Sequence, residues 1–186
     1  MVNSQEINAA EQLVFGNERA DTNDFKSFEK PALSDLLTIE SSLSVFYDYV
    51  RQSETLVKRL TTNTPTTLFA PQDSAILSLH RKPHQGPVAS SVNDAALSEE
   101  EEDKEMRAYL EKWTKAYMVD GVDFKLEDGI EVQSLAGQDS RVAFTAAPEG
   151  GEQDWQQVLV QPGNARIVAA KEARDGRLYI IDRVLQ

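Results

Sequence analysis

From Leu33 onward the apolar positions recur every three or four residues: Leu36, Leu37 and Ile39 lead into Leu43, Phe46, Tyr47 and Val50. Spacings of i, i+3, i+4 and i+7 fall on one face of a helix, so this stretch predicts helical structure with that face toward a core. Ser53 supplies an N-cap for a shorter helix whose Leu56, Val57 and Leu60 point inward, and the breakers between Thr61 and Pro65 end it. Thr66-Thr67-Leu68-Phe69-Ala70 is short, β-branched and apolar, and it predicts a buried strand. Pro71 stops that strand, and Asp73 or Ser74 caps the helical turn that carries Ala75, Ile76 and Leu79.

Residues 80–97 hold Pro83, Gly86 and Pro87 and read as a loop, long for a compact domain. Ser98 with Glu101 then forms a capping box, and the acidic run Glu99 to Asp103 suits a helix N-terminus. A solvated first turn accounts for that run more simply than a partner patch does. Met106, Leu110 and Trp113 continue the helix as a core stripe.

After Trp113 the period becomes two. Strands are expected at Tyr117 to Val119, at Phe124 to Leu126, at Ile130 to Leu135 across an Asp128-Gly129 hairpin turn, and at Arg141 to Thr145. Three more follow: Val158 to Val160, Ile167 to Ala169 and Leu178 to Leu185, with turns at Pro162-Gly163-Asn164 and Asp175-Gly176. Helices followed by about seven short strands indicate an α+β architecture. Residues 1–30 lack a sustained period and read as a polar arm, with Leu13, Val14 and Phe15 as one docking point; the domain proper covers 31–186.

Composition narrows the partners. There are 31 acidic and 19 basic residues, a formal charge of -12, which repels nucleic-acid backbones and anionic lipid heads. With no cysteine, disulfides, thiol nucleophiles and Cys-ligated metals are excluded, and no Asn-x-Ser/Thr acceptor occurs. No apolar run reaches the ~20 residues that span a bilayer, so direct membrane insertion is not expected. Residues 1–15 show no basic segment followed by an apolar one. The expectation is therefore either an intracellular protein or a chain that starts after a removed leader.

Thr67-Leu68-Phe69-Ala70-Pro71-Gln72-Asp73-Ser74-Ala75 resembles the first signature of the fasciclin (FAS1) domain family. The stretch Val158 to Leu185, above all Asp175-Gly176-Arg177-Leu178-Tyr179-Ile180-Ile181-Asp182-Arg183-Val184-Leu185, resembles the second. Between them, Val119-x-Gly121 follows the Trp113 helix and Ile130 to Gly137 ends in Leu-x-Gly, both in the family's order. The resemblance covers about residues 31–186 and implies the FAS1 fold: a wedge-shaped antiparallel or mixed sheet of about seven strands packed with N-terminal helices. Thr67, Phe69, Pro71, Asp73, Gly176 and Asp182 are its structural signature, with Phe69 a core anchor and Gly176 at a turn position of positive φ. Two departures stand out. Where many extracellular members carry a Tyr-His pair linked to integrin adhesion, this chain has Ala116-Tyr117, and residues 80–103 form an insertion. The layout is similar to that of single-domain fungal fasciclin-like proteins, some of them vacuolar or secreted.

Catalytic patterns are missing. His80 and His84 are spaced i, i+4 as two metal ligands on a helix would be, but Pro83 breaks that helix and Arg81 and Lys82 repel a cation. No nucleophile elbow, Walker loop or dinucleotide fingerprint is present, and acidic pairs such as Asp120 with Asp123 or Glu127 with Asp128 sit at turns. Neither a metal nor a cofactor is expected. The reading is a non-enzymatic interaction or adhesion module for a protein or glycan partner, at a cell surface or in a secretory or vacuolar lumen. Tyr117, Asp120, His80 and His84 are the candidate contacts. The alternatives are a small-molecule binder or enzyme using a cleft between helices and sheet, which a deep apolar pocket near Trp113 or Trp155 would favour, and a weakly associating homo-oligomer joined through sheet edges or the arm.

Overall fold

Strand β1 (Thr66–Pro71) is buried at every residue, which is why its sequence runs apolar without alternation. It pairs parallel with β7 (Gly176–Ile181) and antiparallel with β2 (Met118–Asp120). This computed structural model describes residues 30–62, 64–86, 98–148 and 151–185. The expected docking point at Leu13, Val14 and Phe15 and residues 87–97 of the insertion lie outside them.

The remaining strands are β3 (Glu131–Gln133), β4 (Arg141–Ala146), β5 (Val158–Gln161) and β6 (Ala165–Ala173). The seven-stranded sheet is ordered β2-β1-β7-β6-β5-β4-β3, mixed because β1 and β7 alone are parallel. Its two ends meet. Val119 bridges to Ser134, and Leu135 N–H donates to Met118 O at 2.8 Å. Sheet curvature of this kind satisfies edges that would otherwise be open to a second copy.

Helices α1 (Leu33–Ile39), α2 (Ser44–Val50), α3 (Glu54–Thr61), α4 (Asp73–Leu77) and α5 (Glu99–Lys115) complete the α+β arrangement. The periodic run from Leu33 breaks at Glu40, whose extended backbone separates α1 from a 3-10 turn and α2. Leu33, Leu37, Leu43, Phe46 and Val50 join one core with Leu56, Leu60, Leu68 and Leu178. Ile39 and Val57 were expected inside but are exposed: Ile39 ends α1 and Val57 lies off the Leu56–Leu60 line. Both expected caps form, Ser53 accepting from Leu56 N–H and Ser98 from Glu101 N–H. Glu101 returns a bond to Ser98 N–H at 3.0 Å, and the bonds from Ser98 hold its carboxyl below the usual range.

Three details differ from the sequence reading. Asp73 does not cap its own helix, whose N-cap is Gln72. Its carboxylate accepts from Val45 N–H at 2.9 Å and from Ser44 Oγ at 2.5 Å, so it caps the first turn of α2, which has no cap of its own. Asp73→Ala is expected to cost about 1–2 kcal/mol in a denaturant titration, with Asp73→Asn, which keeps one acceptor, close to wild type. Equal midpoints for the alanine variant and wild type would rule out this cross-helix cap.

Second, Phe124 to Leu126 form no strand. The Asp128-Gly129 turn docks on β4 instead, where Gly129 N–H donates to Phe144 O and Ala146 N–H to Asp128 Oδ1. β3 therefore pairs with β4. Third, Gly176 is not among the glycines of positive φ. A Cβ there would stand 2.0 Å from Thr66 O and 2.6 Å from Leu33 Cδ1, so closeness of neighbouring backbone excludes a side chain.

A candidate binding groove beside Trp155

β5 and β6 pair at only two positions, Leu159↔Arg166 and Val160↔Ala165, and then part. β6 continues to Ala173 along β7. The split becomes a groove of about 730 Å³. Ala170, Glu172, Arg177 and Tyr179 line it from β6 and β7, Phe124 to Glu127 from the segment before β3, and Trp155 from a 3-10 helix over Asp154–Gln157.

An aromatic column underlies the groove. Phe124 stacks on Phe144 at 6.0 Å, Phe144 meets Phe69 at 5.7 Å, and Phe69 stacks on Tyr179 at 5.3 Å. Phe69 and Phe144 are fully buried, whereas Phe124 and Trp155 are half-buried. Preformed rings beside water provide contact area at little entropic cost on binding.

Charge is balanced here, unlike in the chain as a whole: Lys125, Lys171 and Arg177 face Glu127, Asp154 and Glu172. Lys30 pairs with Glu172, Glu40 with Lys171, and Lys125 with Glu127 at 3.3 Å. The bond from Lys30 holds the Glu172 carboxyl below the ordinary range, and Lys171 does the same for Glu40. A general acid needs the opposite shift. Among the described residues no group of three or more His, Asp or Glu is placed to hold a metal ion. No described helix is long and apolar enough to cross a membrane.

The four candidate contacts do not form one site. Tyr117 is a correction: its side chain has no exposure, and it sits against Trp113 at 4.7 Å and Phe46 at 5.5 Å. Its hydroxyl accepts from Leu185 N–H at 3.2 Å, and burial pushes its pKa up. It ties the C-terminus to the core and is out of reach of a partner. Asp120 is exposed and pairs with Arg59, which also donates to Thr66 Oγ1 at 2.9 Å, so Arg59 joins α3 to both β1 and β2. His80 is exposed, and His84 shares a hydrogen bond with Tyr49 across 2.9 Å from a 3-10 turn over Pro83–Gln85.

The signature residues are structural. Thr67 Oγ1 donates to Gly121 O at 2.8 Å, Pro71 ends β1 opposite Ile181, and Asp182 accepts from Arg166 N–H at 2.7 Å. Residues Phe124, Ala170, Arg177 and Tyr179 were not singled out as contacts from sequence. The one signal was Trp155, a large aromatic beside a break. The groove beside Trp155 is lined by charged as well as apolar side chains. Trp113 is enclosed by Phe46, Tyr49 and Tyr117.

Comparison with known proteins agrees with the fold. The family model for the fasciclin domain matches residues 41–186. A FAS1 domain-containing protein of Aspergillus fumigatus is 27% identical over 84% of this chain and 64% of its own length. One from Emericella nidulans is 25% identical over 84% of this chain and 62% of its own. The chain thus spans less than two thirds of these relatives. Among solved structures, a FAS1 domain pair from the insect cell adhesion molecule Fasciclin I superimposes with a TM-score of 0.50 at 18% identity, covering 77% of this chain and 45% of that one. Signature residues at both ends of the core, the mixed seven-stranded sheet and the family match lead to one conclusion: this chain belongs to the fasciclin domain family.

Proposed function

We propose that the domain is a non-enzymatic interaction module that holds a protein or glycan partner in the groove beside Trp155, at a cell surface or in a secretory or vacuolar lumen. The observation that carries this reading is the groove itself: half-buried aromatic rings under a charge-balanced rim on a molecule of strongly negative charge. Aromatic and arginine side chains are the usual anchors of recognition, and here Trp155, Tyr179 and Arg177 share one concavity. The family is typically concerned with adhesion, which fits a surface-presented module.

Peptide-display and oligosaccharide-array screens on the intact chain test it. Trp155→Ala is expected to weaken the selected ligand about tenfold or more, with the thermal midpoint nearly unchanged because the ring is only half-buried. Ligands indifferent to Trp155→Ala and to Arg177→Glu would place the partner elsewhere. Imaging the gene product with a C-terminal tag tests the compartment. Surface, secretory or vacuolar signal supports the module, and a diffuse cytosolic signal counts against it.

A further inference from the structure

Strand β6 runs from Ala165 to Ala173, yet β5 covers only its first two residues. Beyond Arg166, β7 is its one strand neighbour among the described residues. Which way the remaining peptide groups point follows from β7. Asp175 O accepts from Thr66 N–H at 3.1 Å and Ile181 O accepts from Gln72 N–H at 3.0 Å, so both residues face β1. Successive strand residues alternate sides, which turns Arg177 and Tyr179 toward β1 as well. Their partners across the ladder, Glu172 and Ala170, are therefore not bonded to β7. The N–H and C=O groups of Ala170 and Glu172 point into the split left by β5, and no described residue bonds to them.

Exposed strand edges are commonly blunted by bulges and charge. The bulge of β6 lies between Ile167 and Ala169, ahead of the two free peptide units. The two charges beyond the bulge are already matched, Lys171 by Glu40 and Glu172 by Lys30. Ala170 fills little of the groove that Trp155 and Tyr179 also line, and Arg177 is exposed opposite Glu172, whose carboxylate it attracts across the ladder while its own guanidinium N–H groups donate to no described residue at hydrogen-bond distance.

We propose that this edge takes an extended polypeptide segment of a partner protein as an added strand, with an aromatic or aliphatic side chain against Trp155 and Tyr179 and a carboxylate toward Arg177. The inference rests on the groove being the partner site. A polypeptide fits better than a glycan because the free donors and acceptors are themselves peptide groups two residues apart. An extended chain repeats its own N–H and C=O at that same interval, about 6.5 Å, and sugar hydroxyls have no such repeat. The stretch 168–173 runs about 20 Å along this edge, with the peptide groups of Ala170 and Glu172 free within it.

The test uses the intact chain and a peptide selected on it from a random display library. A single N-methyl group is walked along the peptide backbone, leaving the protein unaltered. Methylation of alternate amides is expected to weaken binding about tenfold or more, with the intervening amides tolerant, since only every second N–H faces β6. Trp155→Ala is expected to weaken the same peptide. A flat scan, or one with helical spacing, overturns strand addition. A library that yields no peptide, while an oligosaccharide binds in a Trp155-dependent way, also overturns it but leaves the groove as the partner site. Ligands of either kind that ignore Trp155→Ala and Arg177→Glu remove both readings.

Discussion

Gly176→Ala is expected to lose about 3 kcal/mol or more of folding stability, at the upper end of overpacking costs, because the added methyl meets backbone that has nowhere to go. The new Cβ would lie 2.0 Å from Thr66 O, in the first pair of the β1–β7 parallel ladder, and 2.6 Å from Leu33 Cδ1 at the start of α1. The leucine tip can rotate; the carbonyl is held by its strand. Relief requires β7 to move from β1, and six register positions run from that point to Ile181. Gly137→Ala is the control. Gly137 has φ 127° with no atom near its missing Cβ, so alanine there strains the backbone without a collision and is expected to cost about 1 kcal/mol. Denaturant midpoints of the two variants decide the matter. If Gly176→Ala costs no more than Gly137→Ala, close approach is not the reason for that glycine.

Phe69→Ala is expected to cost about 3–5 kcal/mol, comparable to much of the 5–15 kcal/mol typical of a domain. The ring has no exposure and lies between Phe144 at 5.7 Å and Tyr179 at 5.3 Å. The cavity would open beneath Tyr179, on the floor of the groove, so ligand affinity should fall along with stability. Phe69→Leu, which refills part of the volume, should recover a substantial share of the stability. An unchanged thermal midpoint for Phe69→Ala would refute the assignment of β1 as the central strand.

Local patterns carried much of this fold because they report local physics. Ser53 and Ser98 cap helices that start one residue later, an outcome settled within one turn of chain. The apolar run at Thr66–Pro71 announced a strand buried on both faces, since no solvated face was left to alternate. The Asp128-Gly129 turn was likewise legible, but its partner was not. Phe124 and Leu126 alternate as a strand would, and Phe124 instead stacks on Phe144. Period two says that a side chain is half-buried and leaves open which neighbour buries it.

The candidate site was the least legible part. Tyr117 reads as a candidate contact at a strand end and is a core residue, because α5 delivers Trp113 over it and the segment after β7 brings Leu185 to its hydroxyl. Asp73 reads as the cap of its own helix and serves α2, 28 residues earlier in sequence. Composition and period determined by themselves an α+β domain, its main helices and strands and a chemistry without thiols, and the family resemblance added Phe69 as a core anchor. Tertiary structure alone decided that Gly176 is needed for closeness, that the sheet ends meet at Val119 and Ser134, and that β5 leaves β6 after two pairs. Those facts depend on distances between residues far apart in the chain, and hydrophobic periodicity encodes only which way each residue faces.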